Sequence, residues 1–124
     1  MGKLIIADDN RSLTIGLQRF FRKKGYDVSI AFDGEELLSL CKDNHVEVVV
    51  LDLRMPRMNG LAALEKIKEH SPKVRAIVIT GFGDSEALAE ATRLGVRDFL
   101  TKPFGLDEIE KSVLRAMNQE ELSL

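Results

Sequence analysis

Tryptophan is absent from this 124-residue chain, tyrosine and cysteine each occur once, and proline occurs three times. A lone Cys41 cannot close an internal disulfide, which favours the reducing cytoplasm, where the sequon-like Asn10-Arg11-Ser12 has no glycosylation meaning. So few prolines, with 9 glycines, exclude collagen-like and low-complexity chains. No apolar run approaches the roughly 20 residues that cross a bilayer, and Met1-Gly2-Lys3 leads into a strand-like segment instead of a cleavable apolar stretch. An excess of one charge is missing as well: 18 Lys plus Arg face 20 Asp plus Glu, a net charge of −2. No broad positive field exists to condense on nucleic acid, and Arg22-Lys23-Lys24 reads as the cationic last turn of a helix. The expectation is a cytoplasmic segment with no direct nucleic-acid binding and no membrane contact.

What is present is a composition 44% apolar and 31% charged, in a length that fits one domain over 1–124 with no room for a second. Short branched apolar runs predict strands near 3–7, 27–31, 46–51, 74–79 and 97–100. Apolar residues at three- and four-residue spacing predict helices near 10–24, 34–43, 60–69, 84–94 and 106–118. Gly25 and Gly95 fall where left-handed residues would end helices one and four, and Asp84 precedes a first turn containing Glu86. Strict strand-helix alternation implies a parallel sheet with right-handed crossovers. The fold class is therefore α/β, a flavodoxin-like doubly wound five-stranded parallel sheet of order 2-1-3-4-5 with five helices on both faces. The continuous runs Val48-Val49-Val50-Leu51 and Ile77-Val78-Ile79 suit central strands, whereas Asp27-Val28-Ser29-Ile30 alternates like an edge.

In such sheets ligands bind beyond the carboxyl ends of the strands, where strand order reverses. The residues there are Asp8 and Asp9 after strand one, Asp52 after strand three, Thr80 after strand four and Lys102 shortly after strand five. Ala31-Phe32-Asp33-Gly34, after strand two, reads as a structural turn without an obvious functional group. Three carboxylates held close repel one another unless a cation shares the site. Oxygen ligands without nearby His or Cys select a hard ion, and carboxylates, waters and a phosphate oxygen are the usual surroundings of Mg²⁺. The competing reading is that these acids only cap the following helices. Capping does not require an acidic pair, a third acid, a Thr and a Lys at the ends of four strands. His45 and His70, in loops or helix ends, receive no role, and Met55, Met58 and Cys41 read as packing.

These residues together resemble the response-regulator receiver domain, over essentially the whole chain. Asp8-Asp9 is similar to its acidic pair. Val49 through Gly60, with Asp52-Leu53-Arg54-Met55-Pro56 at the centre, resembles its phosphoacceptor loop, and Ile79-Thr80-Gly81 and Thr101-Lys102-Pro103-Phe104 complete the set. The wording of the last two segments is similar to receivers joined to ATPase-type or helix-turn-helix activators.

The resemblance implies a phosphoacceptor regulator, not a turnover enzyme, that promotes its own phosphorylation and dephosphorylation. Asp52 would take the phosphoryl group, and Asp8, Asp9, Asp52 and the backbone carbonyl of Arg54 would arrange Mg²⁺, with Mn²⁺ as substitute. Lys102 would pair with phosphoryl oxygens, Thr80 would hydrogen-bond them, and Phe99 matches the aromatic switch position. Lys102-Pro103 would be a cis peptide, and Arg54 and Phe82 match positions that tune hydrolysis. Implied partners are a sensor histidine kinase or histidine phosphotransfer protein, an output domain or downstream protein, and a second copy through helix four, strand five and helix five. That face carries Arg93, Arg97, Lys111 and Arg115 beside Asp84, Glu90, Asp98 and Glu110, mixed signs suited to reciprocal salt bridges.

Several alternatives stay open on the residues alone. Phe99 can be simple core, and Pro103 a trans stop. A phosphorylation-independent binding scaffold is a second function class. A Mg²⁺-dependent phosphatase lacks its Asp-x-Asp motif at Asp52-Leu53-Arg54, and a nucleotide or flavin module would need a glycine-rich loop where Asp8-Asp9 stands. Stand-alone regulator and excised receiver both fit the end of the chain.

Overall fold

Val48, Val49, Val50 and Leu51 have no solvent exposure, as a strand covered on both faces requires. In the computed structural model, which describes residues 2–43, 45–81 and 85–118, they form the middle of β3 (Val46–Asp52). The chain alternates β1 (Lys3–Ala7), α1 (Arg11–Lys23), β2 (Asp27–Ala31), α2 (Gly34–Leu40), β3, α3 (Gly60–His70), β4 (Arg75–Thr80), α4 (Ser85–Arg93), β5 (Asp98–Thr101) and α5 (Leu106–Met117). All pairings are parallel, in the order β2-β1-β3-β4-β5, so the doubly wound sheet read from the sequence is the one observed. The expected positions of Asp84, Phe82 and residues 119–124 lie outside the described residues.

Alternate residues of each strand point to opposite faces, and this splits the core in two. Ile5, Ala7, Val49, Leu51, Ala76 and Val78 pack with Leu37 of α2, Leu64 and Ile67 of α3 and Ala91 of α4. Leu4, Ile6, Val48, Val50, Ile77 and Ile79 pack with Leu17 and Phe21 of α1 and Ile109 and Val113 of α5. Phe21 meets Tyr26 edge-on, with ring centroids 5.5 Å apart. β2, with Asp27 exposed, is an edge strand. Gly25 and Gly95 take φ of 96° and 81° beyond α1 and α4, the left-handed conformation that glycine enters without a Cβ clash.

The boundaries differ from the apolar runs in ways that matter for the site. β3 continues through Asp52, and β4 and β5 are displaced one residue later than the runs 74–79 and 97–100. Main-chain pairing is indifferent to side-chain polarity, so Asp52↔Ile79 and Thr80↔Thr101 extend the ladder. Asp52 and Thr80 are thus the last residues of their strands, held by the sheet. α2 stops at Leu40, where the Cys41 N–H donates to the Leu37 carbonyl and the Lys42 N–H to the Ser39 carbonyl. Among the described residues no helix is long and apolar enough to cross a membrane.

Candidate functional site

β1 and β3 are neighbours, yet the helices that follow them leave to opposite faces, α1 to one and α3 to the other. A crevice opens between their loops for that reason. Asp8, fully buried, stands directly after β1, its N–H bonded to the Ala31 carbonyl at 3.1 Å and its Oδ1 accepting from Asn10 N–H at 3.0 Å. The Thr14 hydroxyl donates to the Asp8 and Asn10 carbonyls at 3.0 and 2.8 Å, pinning this turn to α1. Asp52 is 7% exposed, and its Oδ1 accepts from the Arg54 N–H at 2.9 Å. Asp9 is exposed, and Asp8, Asp9 and Asp52 each offer a carboxylate oxygen within 4.8 Å of the others.

The capping reading of these acids does not describe them. Asn10 caps α1 by accepting from the Leu13 N–H at 3.1 Å, and Asn59 caps α3 by accepting from the Ala62 N–H at 2.8 Å. Neither Asp8 nor Asp52 caps a helix: each accepts one loop N–H through Oδ1 and turns Oδ2 toward Lys102.

Lys102 follows β5, with its N–H on the Thr80 carbonyl at 2.8 Å and its peptide to Pro103 cis. Its Nζ donates to Asp52 Oδ2 at 2.9 Å and stands 2.5 Å from Asp8 Oδ2. The second contact is an ion pair by distance, but Asp8 Oδ2 has no partner of hydrogen-bonding geometry among the described residues. Burial alone would lower the pKa of this lysine; the contacts with Asp8 and Asp52 outweigh it and hold the pKa above the ordinary 10.5. Lys102 is therefore an ammonium at any physiological pH.

One ammonium does not neutralise three carboxylates. The donor set is all oxygen, and one of its carboxylates is fully buried while another is open to solvent. That chemistry fits a hard divalent cation such as Mg²⁺ or Mn²⁺. Beside the acids opens a groove of about 580 Å³, lined by Asp9, Arg54, Asn59 and Thr80 and by the apolar Leu53, Met55 and Leu88.

Thr80, 7% exposed, is one residue beyond the partner of Asp52 on β4. Phe99 pairs with Val78 and packs half-buried against the cluster of α2, α3 and α4, outside the acidic group. Phe82 is outside the described residues. His45 and His70 are exposed in the turn before β3 and at the end of α3, while Met55 is buried and Met58 packs against the core. Sequence reading missed the caps Asn10 and Asn59 and the lock at Thr14. Their signals were an Asn directly before an apolar-periodic segment and a polar residue inside the apolar stripe of α1.

The sequence profile described as Response regulator receiver domain matches residues 4–114. Regulatory protein AtoC of Escherichia coli (strain K12) is 33% identical over 122 residues, which is 98% of this chain and 26% of that protein. Sporulation initiation phosphotransferase F of Bacillus subtilis (strain 168) is 32% identical over 111 residues, 90% of either chain. Among solved structures, a chain of the CheX-CheY-BeF3-Mg²⁺ complex from Borrelia burgdorferi superposes with a TM-score of 0.83 at 27% identity, covering 91% of this chain and 87% of that one. The chain spans about a quarter of the length of the first curated relatives it matches, 26% of each. A profile match over most of the chain, on a sheet with this strand order, settles the family: the chain belongs to the response regulator receiver domains of two-component signalling.

Proposed function

We propose that this chain is a phosphoacceptor switch in which Asp52 takes a phosphoryl group from a phosphohistidine on a sensor histidine kinase or histidine phosphotransfer protein. The observation that carries this reading is the meeting of Asp8, Asp52 and Lys102 from the ends of three strands, with Lys102 Nζ at 2.5 and 2.9 Å from the two carboxylates. In the transfer the phosphorus–nitrogen bond breaks, a bond forms to an Asp52 oxygen, and the imidazole leaves as a neutral ring after protonation.

Asp8, Asp9, Asp52 and the Arg54 carbonyl are the groups that would hold Mg²⁺, or Mn²⁺ in its place. Bound there, the ion supplies charge neutralisation to the transferring group. The protein itself mostly positions. The Arg54 N–H fixes one Asp52 oxygen, and Lys102 turns from carboxylate to phosphoryl oxygens. The Thr80 hydroxyl, at the end of β4, donates to the phosphoryl group once it is present. The new charge of roughly −1.5 to −2, as on a phosphoserine, is what Thr80 and Lys102 sense.

Movement of Thr80 toward that group would let Phe99 pack inward and reshape the face of α4, β5 and α5 as a population shift between two packings. Output control and a homodimer through this face belong to the same proposal, as do hydrolysis tuning by Arg54 and Phe82, a cytoplasmic setting and a single receiver domain over 1–124. A dimer held by reciprocal salt bridges must exchange pairs that one chain already makes, since Asp98 meets Arg115 at 3.0 Å, Glu110 meets Lys24 at 3.4 Å and Glu90 meets Arg93.

Intact-mass spectrometry after incubation with acetyl phosphate and Mg²⁺ is the test. One phosphoryl group is expected on the wild-type chain and none on Asp52→Ala; an equal adduct on the variant rejects the assignment.

A further inference from the structure

The turn between β2 and α2 carries no reactive side chain, yet it touches the first residue of α1, just past Asp8-Asp9, and the loop that follows Asp52. Arg11, two residues beyond Asp9, places its guanidinium carbon 4.1 Å from the centroid of the Phe32 ring. Arg57, five residues beyond Asp52, reaches Asp33 at 3.6 Å. Gly34 makes the closest contact of the three: a Cβ there would lie 1.9 Å from the Met58 carbonyl oxygen and 2.7 Å from its carbonyl carbon. Asp33 also accepts from the Glu36 N–H at 2.8 Å through Oδ1, so it caps α2 while Oδ2 faces Arg57.

The backbone at the far end of this contact is unusual. Arg57 has φ of 67°, in the left-handed region that a residue with a Cβ adopts at a cost. The loop between Asp52 and Asn59 is therefore held in a shape its local sequence does not favour; Arg54 and Gly60 fix its two ends, and Asp33 and Gly34 meet its middle. We infer that residues 32–34 form a strut that sets the Asp8-Asp9 loop against the Asp52–Asn59 loop, making Phe32, Asp33, Gly34, Arg11 and Arg57 positioning residues for the cation site.

The inference rests on the reading of that site as a Mg²⁺ centre. Asp52 is fixed by the sheet, but Asp9 and the Arg54 carbonyl stand on separate loops whose spacing a third element can set, and supporting residues of this kind typically change metal affinity by about 10–100-fold. The contributions differ in size. Arg57 is 67% exposed at its side chain and Asp33 only 8%, and a pair so open to solvent is weak by itself. The Gly34–Met58 contact is main chain against main chain, so no rotamer change relieves it.

The test uses the full chain as Gly34→Ala, Asp33→Ser and Arg57→Gly, with two measurements. One is the Mg²⁺ dissociation constant by titration calorimetry; the other is amide hydrogen exchange of the 53–59 segment in metal-free protein. Gly34→Ala is expected to weaken Mg²⁺ binding by about tenfold or more and to speed exchange. Asp33→Ser keeps an oxygen to cap α2, and Arg57→Gly relieves the positive φ, so neither should lower the unfolding temperature through the cap or the backbone. Each should weaken Mg²⁺ by about two- to fivefold, and the double variant by no more than the larger single effect. A purely structural turn would change thermal stability and leave both readouts of the folded protein at wild-type values; that result overturns the strut. If Gly34→Ala fails to fold, the other two variants decide. A wild-type chain that takes up no Mg²⁺ overturns the proposed function instead, while exchange at 53–59 still reports on the strut.

Discussion

A Cβ on Gly60 would stand 2.1 Å from the main-chain carbonyl oxygen of Asp52, so the first residue of α3 rests directly on the backbone of the proposed acceptor. Gly60 also donates its N–H to the Leu53 carbonyl at 2.8 Å. Replacing Gly by Ala in a helix ordinarily stabilises by about 0.5–1 kcal/mol. Here the added methyl meets a carbonyl that cannot rotate away, and overpacking of about 1–3 kcal/mol outweighs the propensity gain. Gly60→Ala is expected to lower the urea midpoint at an unchanged slope and to slow phosphorylation from acetyl phosphate. A midpoint at or above wild type would contradict the contact.

Lys102→Ala removes the ammonium that stands between Asp8 and Asp52. Without a divalent cation, the variant should be less stable than wild type, because a fully buried carboxylate is left facing another. The sign reverses for the ion. With a competing unit charge gone, Mg²⁺ should bind about three- to tenfold more tightly, the scale of about 1 kcal/mol for one charge in a water-like dielectric. Millimolar Mg²⁺ should then raise the unfolding temperature of the variant more than that of wild type. Equal Mg²⁺ affinities in calorimetry would show that Lys102 and the ion do not compete.

The fold was legible because its information is local. Runs such as Val48-Val49-Val50-Leu51 and stripes such as Leu13, Leu17 and Phe21 declare their own period, and alternation does the rest. The acidic group was legible for a related reason: Asp8, Asp52, Thr80 and Lys102 each stand at a strand end, and strand ends converge whatever the loops do. What stayed hidden depends on distance through space. Nothing near Asp33 announces Arg57, nothing near Gly34 announces the Met58 carbonyl, and the φ of Arg57 has no sequence signature because the residue is not Gly, Asn or Asp. The charges at Asp98 and Arg115 were read as surface available to a partner for the same reason.

Within one chain Asp98 ties β5 to α5. Its Oδ2 accepts from the Ser112 hydroxyl at 2.7 Å and from Arg115 at 3.0 Å, and its Oδ1 from the Phe99 N–H at 2.8 Å. Ser112 is buried, so Asp98→Ala strands a hydroxyl and is expected to cost about 1–3 kcal/mol in urea unfolding. Arg115 is partly exposed at its side chain, and Arg115→Ala should cost less than about 1 kcal/mol. Equal losses in the two variants would mean that the ion pair, not the buried hydroxyl, dominates.

Cys41 tests the core on the opposite side of α2 from solvent. Its thiol is buried at the end of the helix, and burial pushes its pKa from 9.0 up to about 12. Native protein at mildly alkaline pH should therefore react with iodoacetamide far more slowly than protein in urea, because the thiolate is the nucleophile. The same shift links stability to pH. A folded pKa above the unfolded one gives a stabilising contribution that is complete below pH 9.0 and declines as pH rises toward about 12. Within that window the unfolded chain releases the proton first, and the loss approaches about 1.4 kcal/mol per pH unit. Cys41→Val, similar in volume, removes this one titration and keeps every other, so its stability should fall less steeply than wild type across the window. Parallel curves for the two proteins would place the thiol in contact with water.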